Sequence, residues 1–191
     1  MSSVAISYEL PTWPFDMTQN DRVTSEERIV LAVGAYVIQA QELEHLLKFL
    51  LPMTDEADPS LKAVIGRSAA LSKKPMGVVA QAFVKSCPGD IAALQEHFAK
   101  IISDRNEIVH HFSARFGPLL NAKQFEEILR EFKRRHRQVK DLIQTLRPMA
   151  LKVVEVLRDG PYAGTDQYEE FARVFLALQS RWLSSKKCGG A

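Results

Sequence analysis

The stretch TSEERIVLAVGAYVIQAQELEHLLKFLL, residues 24–51, decides the class of fold. Apolar side chains recur at Ile29, Val33, Tyr36, Val37, Ala40, Leu43, Leu47 and Leu51, the three-and-four spacing of one helix face at about 100° per residue. Thr24 and Glu27 stand in the capping-box relationship that opens such a helix, and Pro52 with the polar run MTDEADPS closes it. A helix of this length with one oily stripe must bury that stripe against other helices.

Downstream, the same periodicity predicts short helices near 60–72 and 76–86, broken by Cys87-Pro88-Gly89-Asp90. Asp90 is the expected N-cap of a helix from about Ile91 that runs out by Phe116-Gly117-Pro118. Asn121 and Gln124 form the next expected cap, for a helix reaching about Leu146, with Pro148 ending or kinking it. A further helical stretch reaches Arg158 before Asp159-Gly160-Pro161, and a last helix spans about 166–183. Upstream, Pro11 and Pro14 in LPTWPF forbid a helix, so residues 1–24 read as an extended arm laid on the domain. Residues 184–191 read as a flexible tail. No run of alternating β-branched residues lies between turn signals. The expected architecture is all-α: an antiparallel bundle of about five to six helices in one domain, 25–183.

Composition narrows the function without naming it. With 191 residues, 46% hydrophobic and 25% charged, the chain suits one sizeable domain. Its 25 Lys and Arg nearly balance 23 Asp and Glu, so no global field steers it to nucleic acid or membrane, and any basic surface must be local. The two cysteines, Cys87 and Cys188, form no disulfide framework and fit a reducing, cytoplasmic setting. The longest apolar run, IVLAVGAYVI at 29–38, falls short of a membrane span, and MSSVAISYEL lacks the pattern of an export signal. No Gly-rich phosphate loop, nucleophile elbow or zinc spacing is present, and no cofactor is implied.

One segment breaks the apolar logic. In SDRNEIVHHF, residues 103–112, Leu94, Phe98, Ile102, Val109 and Phe112 all fall within about 60° of Arg105 on the helical wheel. Arg105 is therefore expected on the core stripe, where an unpartnered guanidinium costs several kcal/mol. The helix 25–51 offers an acid for it: Glu44 lies within the apolar stripe, while Glu42 points to the opposite side. A Glu44 to Arg105 pair is the expected solution, serving either as a register device or as part of a site. Asn106 and His110, four apart, add an amide and an imidazole on one face beside it.

RNEIVH at 105–110, followed by His111 and Phe112, resembles the R-x4-6-H motif of HEPN-domain proteins, with the polar residue after the arginine supplied by Asn106. The resemblance extends in outline over about 25–160. It implies a helical bundle that pairs with a second copy and brings two Arg/His sets into one cleft, often with metal-independent endoribonuclease activity. Toxins, abortive-infection and phage-defence effectors and RNA-processing factors are typical roles, sometimes beside a restraining antitoxin or nucleotidyltransferase. Carried onto this chain, Arg105 would stabilise charge at the scissile phosphate and His110 would be the general acid or base. Asn106 would orient substrate or His110, with Glu44 and His111 in support. Arg105 and His110 lie about 140° apart on a regular helix, so a shared focus requires the arginine to reach round or the helix to distort.

Helix 121–146 carries a basic stripe, Arg130, Lys133, Arg134, Arg137 and Lys140, opposite an apolar face of Phe125, Ile128, Leu129, Phe132, Val139, Leu142 and Ile143. It can follow an RNA backbone, or be a solvated face balanced by Glu126, Glu127 and Glu131. A shorter group, Arg67, Lys73 and Lys74, reads as solvated. Two Glu-x-x-His strings, Glu42 to His45 and Glu107 to His110, suggest a di-metal site, but both are expected off their core stripes, so no metal is assigned. The competing reading is a non-catalytic helical module that binds RNA or protein.

Overall fold

The capping box at Thr24 forms in both directions. The Glu27 amide donates to Thr24 Oγ1 at 3.2 Å, and the Thr24 amide donates to the Glu27 carboxylate at 2.8 Å. From this start α1 runs Ser25–Leu50, and Pro52 sits in a 3-10 turn, Leu51–Thr54. The computed structural model describes residues 23–173 apart from residues 56 and 90. After α1 come α2 (Leu61–Leu71), α3 (Met76–Ser86), α4 (Ala92–Asn121), α5 (Phe125–Asp159) and α6 (166–173). No strand occurs among the described residues, and the expected helical bundle is what forms. No helix among them is long and apolar enough to cross a membrane. The Asp90 cap, the arm through residue 22, the last helix beyond 173 and the tail lie outside the described residues.

Two helices are longer than the sequence predicts. α4 continues through Gly117 and Pro118 to Asn121, and Gln124 occupies the N-cap of α5 without a side-chain bond, so the expected Asn121–Gln124 cap is not made. The turn between them is instead closed by Lys123 in the left-handed region, φ 57°. α5 passes Pro148 and reaches Asp159 as one helix. Pro148 and Gln144, whose carbonyl loses its donor there, both lie on the exposed side, so the gap in the ladder faces solvent rather than core.

α1 packs chiefly on α5, with α4 beside α5 and α3 against both α1 and α4. The contacts Arg28 to Glu126, Gln39 to His136 and Glu42 to Arg147 advance together along both helices, so α1 and α5 run parallel. α4 runs antiparallel to α5: Phe116 meets Phe132 near their turn, and Glu107 meets Arg135 further away. The core is aromatic where these three meet. Phe116 lies 5.2 Å from Phe112 and 5.4 Å from Phe132, which in turn meets Tyr36 edge-on at 6.3 Å. Truncating Phe132, which has no exposed surface, would cost about 3–5 kcal/mol. α6 closes the far end, with Phe171 against Phe49 at 5.8 Å.

Candidate functional site

The buried arc of α4 is not centred on Arg105. Phe98, Ile101, Asp104, Ile108 and Phe116 are buried, which centres the arc about 40° to one side of that arginine. Arg105 is accordingly half-buried at the edge, and Val109, expected in the stripe, is 45% exposed. Its guanidinium donates through Nη1 to Asn106 Oδ1 at 3.3 Å and meets no carboxylate among the described residues. The expected Glu44 to Arg105 pair does not form. Glu44 accepts from Lys48, one turn on, at 2.6 Å, and Lys48 also donates to the Ser72 carbonyl at 3.0 Å. An acid within its own helix satisfies Lys48 more simply than a partner on α4.

The buried cation lies on α5. Arg135 is 2% exposed, and Asp104 is equally buried opposite it. Arg135 donates through Nε to Glu131 at 2.8 Å, through Nη1 to the Asp104 carbonyl at 3.3 Å, and through Nη2 to Glu107. Its Nη1 also stands 3.7 Å from the Asp104 carboxylate, which Lys100 meets from within α4. Burial opposes the charge on Arg135, but the bonds to Glu107 and Glu131 and the Asp104 charge outweigh it, and its pKa is raised. Glu131 is held down to about 2, first by the hydrogen bond from Arg134 and then, against its own burial, by Arg135. Tyr36 donates to the Ile101 carbonyl at 3.4 Å, and burial, with Asp104 beside it, pushes its hydroxyl well above the usual tyrosine range.

α4 is kinked at His111, whose backbone (φ −131°, ψ 19°) leaves the helical region. Around the kink an open groove of about 530 Å³ is lined by Ser103, Asn106, Glu107, His111, Ala114 and Arg115. Asn106 and His111, five apart, would diverge by about 140° on a regular helix; at the kink they line one groove. Arg105 and His110 do not line it. His110 is exposed, its ring 6.3 Å from that of His111. The motif is thus divided, with one imidazole in the groove and the other on its shoulder.

All five members of the basic stripe on α5 are exposed. Arg134 is bound by Glu131 and Gln138. Of the three acids expected to balance the stripe, Glu126 faces Arg28 of α1 at 3.4 Å, Glu131 serves Arg134 and Arg135, and Glu127 is exposed and makes no ion pair among the described residues. Arg130, Lys133, Arg137 and Lys140 therefore make no ion pair among the described residues, along about 15 Å of helix. Arg67, expected to be solvated, instead donates to the Pro52 and Asp58 carbonyls at 2.9 and 2.8 Å.

Glu42, expected on the outer side of α1, is 19% exposed and paired with Arg147 across the α1–α5 contact. Glu107 is paired with Arg135 and, at 3.4 Å, with Arg115, so neither Glu-x-x-His string offers a free carboxylate. No group of three or more His, Cys, Asp or Glu is placed to hold a metal among the described residues. Asp104, Arg115 and Arg135 are not singled out by the sequence, and Glu107 appears there only as half of a Glu-x-x-His string. Only Arg135 has a signal there, as the polar gap in the apolar stripe of α5 between Phe132 and Val139. Compared with known proteins, the chain matches no family model, no curated protein and no solved structure.

Proposed function

We propose that this chain is a metal-independent endoribonuclease of the HEPN-like kind that its 105–110 segment resembles, acting in the cytoplasm as a homodimer whose two α4 helices share a cleft. The observation that carries the reading is Arg105. It is a half-buried guanidinium that meets no carboxylate among the described residues, where its one bond is to the neutral amide of Asn106, and so is available to a phosphate. Two adjacent imidazoles follow at the kink, and four cations on α5 that make no ion pair among the described residues offer a path for the backbone.

The chemistry follows from these groups. An imidazole, His110 in the motif, takes the proton of a ribose 2′-hydroxyl as that oxygen attacks the adjacent phosphorus. Arg105 stabilises the charge gathering on the phosphoryl oxygens, and Asn106 holds Arg105 in place. The P–O5′ bond breaks, a second imidazole, from the partner copy, protonates the departing oxygen, and the products are a 2′,3′-cyclic phosphate and a 5′-hydroxyl. A role as a toxin or phage-defence effector restrained by an antitoxin or nucleotidyltransferase belongs to the same proposal.

The test is RNA cleavage in EDTA by the wild type, Arg105→Ala and His110→Ala. Cleavage by the wild type, lost in both folded variants, supports the enzyme. No cleavage by the wild type leaves the second reading, a non-catalytic RNA-binding module, which the exposed cations of α5 favour independently of α4.

A further inference from the structure

Arg115 differs from every other arginine near the groove in what it leaves unused. Its Nε stands 3.4 Å from Glu107 Oε1, a single long contact, and its guanidinium carbon lies 5.6 Å from the Phe116 ring centroid. Neither terminal amino group has a partner among the described residues, and the side chain is 51% exposed. Arg135 sits at the same 5.6 Å from Phe116 and binds the other oxygen of Glu107. One carboxylate and one buried ring thus seat two guanidiniums, one fully engaged from below and one with its fork open to the groove.

Glu107 and Arg115 are eight residues apart, about 12 Å along a straight helix. The kink at His111 and the length of the arginine close that gap, which fixes the stem while the fork faces the groove that Asn106 and His111 line. The carboxylate does not make the site repel anions. In the connected ion pairs, the three carboxylates of Asp104, Glu107 and Glu131 face the four cations Lys100, Arg115, Arg134 and Arg135, leaving positive charge in excess. An exposed single contact of this kind is worth under about 1 kcal/mol and occupies only Nε, so a phosphate can take both terminal nitrogens of the fork without displacing it.

We infer that Arg115, with Asn106 and His111, forms a phosphate-binding subsite in the kink of α4 that takes a phosphodiester of the RNA chain other than the one Arg105 addresses. Glu107 is its positioning residue, holding the arginine by Nε so that the planar fork is presented edge-on to the incoming oxygens. The inference rests on the RNA-directed reading above, extending it from one phosphate to two.

The probe is a fluorescent 2′-O-methyl oligonucleotide, which cannot be cleaved through its 2′-oxygen, titrated by anisotropy across a range of NaCl. Arg115→Gln is expected to weaken binding about tenfold at low salt. It should also lower the slope of log K against log salt by about 0.7, the share of one phosphate on a single strand. Arg115→Lys keeps the charge and loses the fork, so it should retain the slope while recovering only part of the affinity. Unchanged affinity and slope in Arg115→Gln, with thermal unfolding like the wild type, overturns the subsite. Wild-type cleavage in EDTA separates the two proposals. Absent cleavage with Arg115-dependent binding sinks the nuclease and keeps the subsite; present cleavage with Arg115-independent binding does the reverse.

Discussion

Arg135 of α5 and Glu107 of α4 meet beneath the groove, the arginine 2% exposed and the glutamate 30%. This contact, with Glu131 and Asp104 on the same guanidinium, decides the stability of the α4–α5 seam. Removing the cation takes a shared buried partner from Asp104, Glu107 and Glu131 and leaves each only a more exposed one, Lys100, Arg115 or Arg134, whereas removing an exposed ion pair costs little. Arg135→Ala is therefore expected to destabilise the fold by about 3–5 kcal/mol, read by urea denaturation against the wild type. A loss under about 1 kcal/mol would mean that the seam is held by its aromatics alone.

Stability should fall in two stages on acidification. Burial lowers the pKa of His136, with its bond to the Ala32 carbonyl working the other way, so the unfolded chain binds the proton first and stability declines as pH drops below about 6.5. Glu131 is depressed from 4.5 to about 2, so its contribution is complete above about 4.5 and is lost between there and about 2. That second stage amounts to no more than about 3 kcal/mol. Unfolding free energies measured from pH 8 to pH 3 should show both declines, and Glu131→Gln should flatten the lower one while keeping the upper.

Replacing Arg130, Lys133, Arg137 and Lys140 together by Gln should leave the fold intact, since all four are exposed and none makes an ion pair among the described residues. RNA affinity is where the change should register. Four lost phosphate contacts lower the salt slope on a single strand by about 3. A slope equal to that of the wild type would remove α5 from the RNA path.

Legibility in the sequence followed period and failed at phase. The helices of α1, α2 and α3 could be read because their apolar periods, their breaks and the Thr24–Glu27 cap of α1 are local signals. Pro148 misled because its cost depends on which face it occupies, and that face is set by packing. On α4 the period was right but the centre of the buried arc was misjudged by about 40°, enough to exchange Asp104 for Arg105 as the buried charge. The kink at His111 has no proline or glycine beside it, so nothing local announces the grouping of Asn106, His111 and Arg115.

Two glutamates now separate the pairing expected from the sequence from the pairing in the fold. If Glu44 neutralised a buried Arg105, Glu44→Gln would strand that cation and cost about 3–5 kcal/mol. Among the described residues Glu44 meets only Lys48, one helical turn away, and Lys48 keeps its bond to the Ser72 carbonyl when the charge is removed. Glu44 and Lys48 are only 20% and 15% exposed, but Gln keeps an oxygen for Lys48, so Glu44→Gln is expected to cost about 1 kcal/mol and to leave RNA binding unchanged. Glu107→Gln takes a charged partner from Arg135, which retains Glu131 and Asp104, and should cost about 1.5–3 kcal/mol. Parallel urea titrations of the two variants give the ranking directly. A larger loss in Glu44→Gln than in Glu107→Gln would return the buried pair to α1 and undo the assignment of the seam to Arg135.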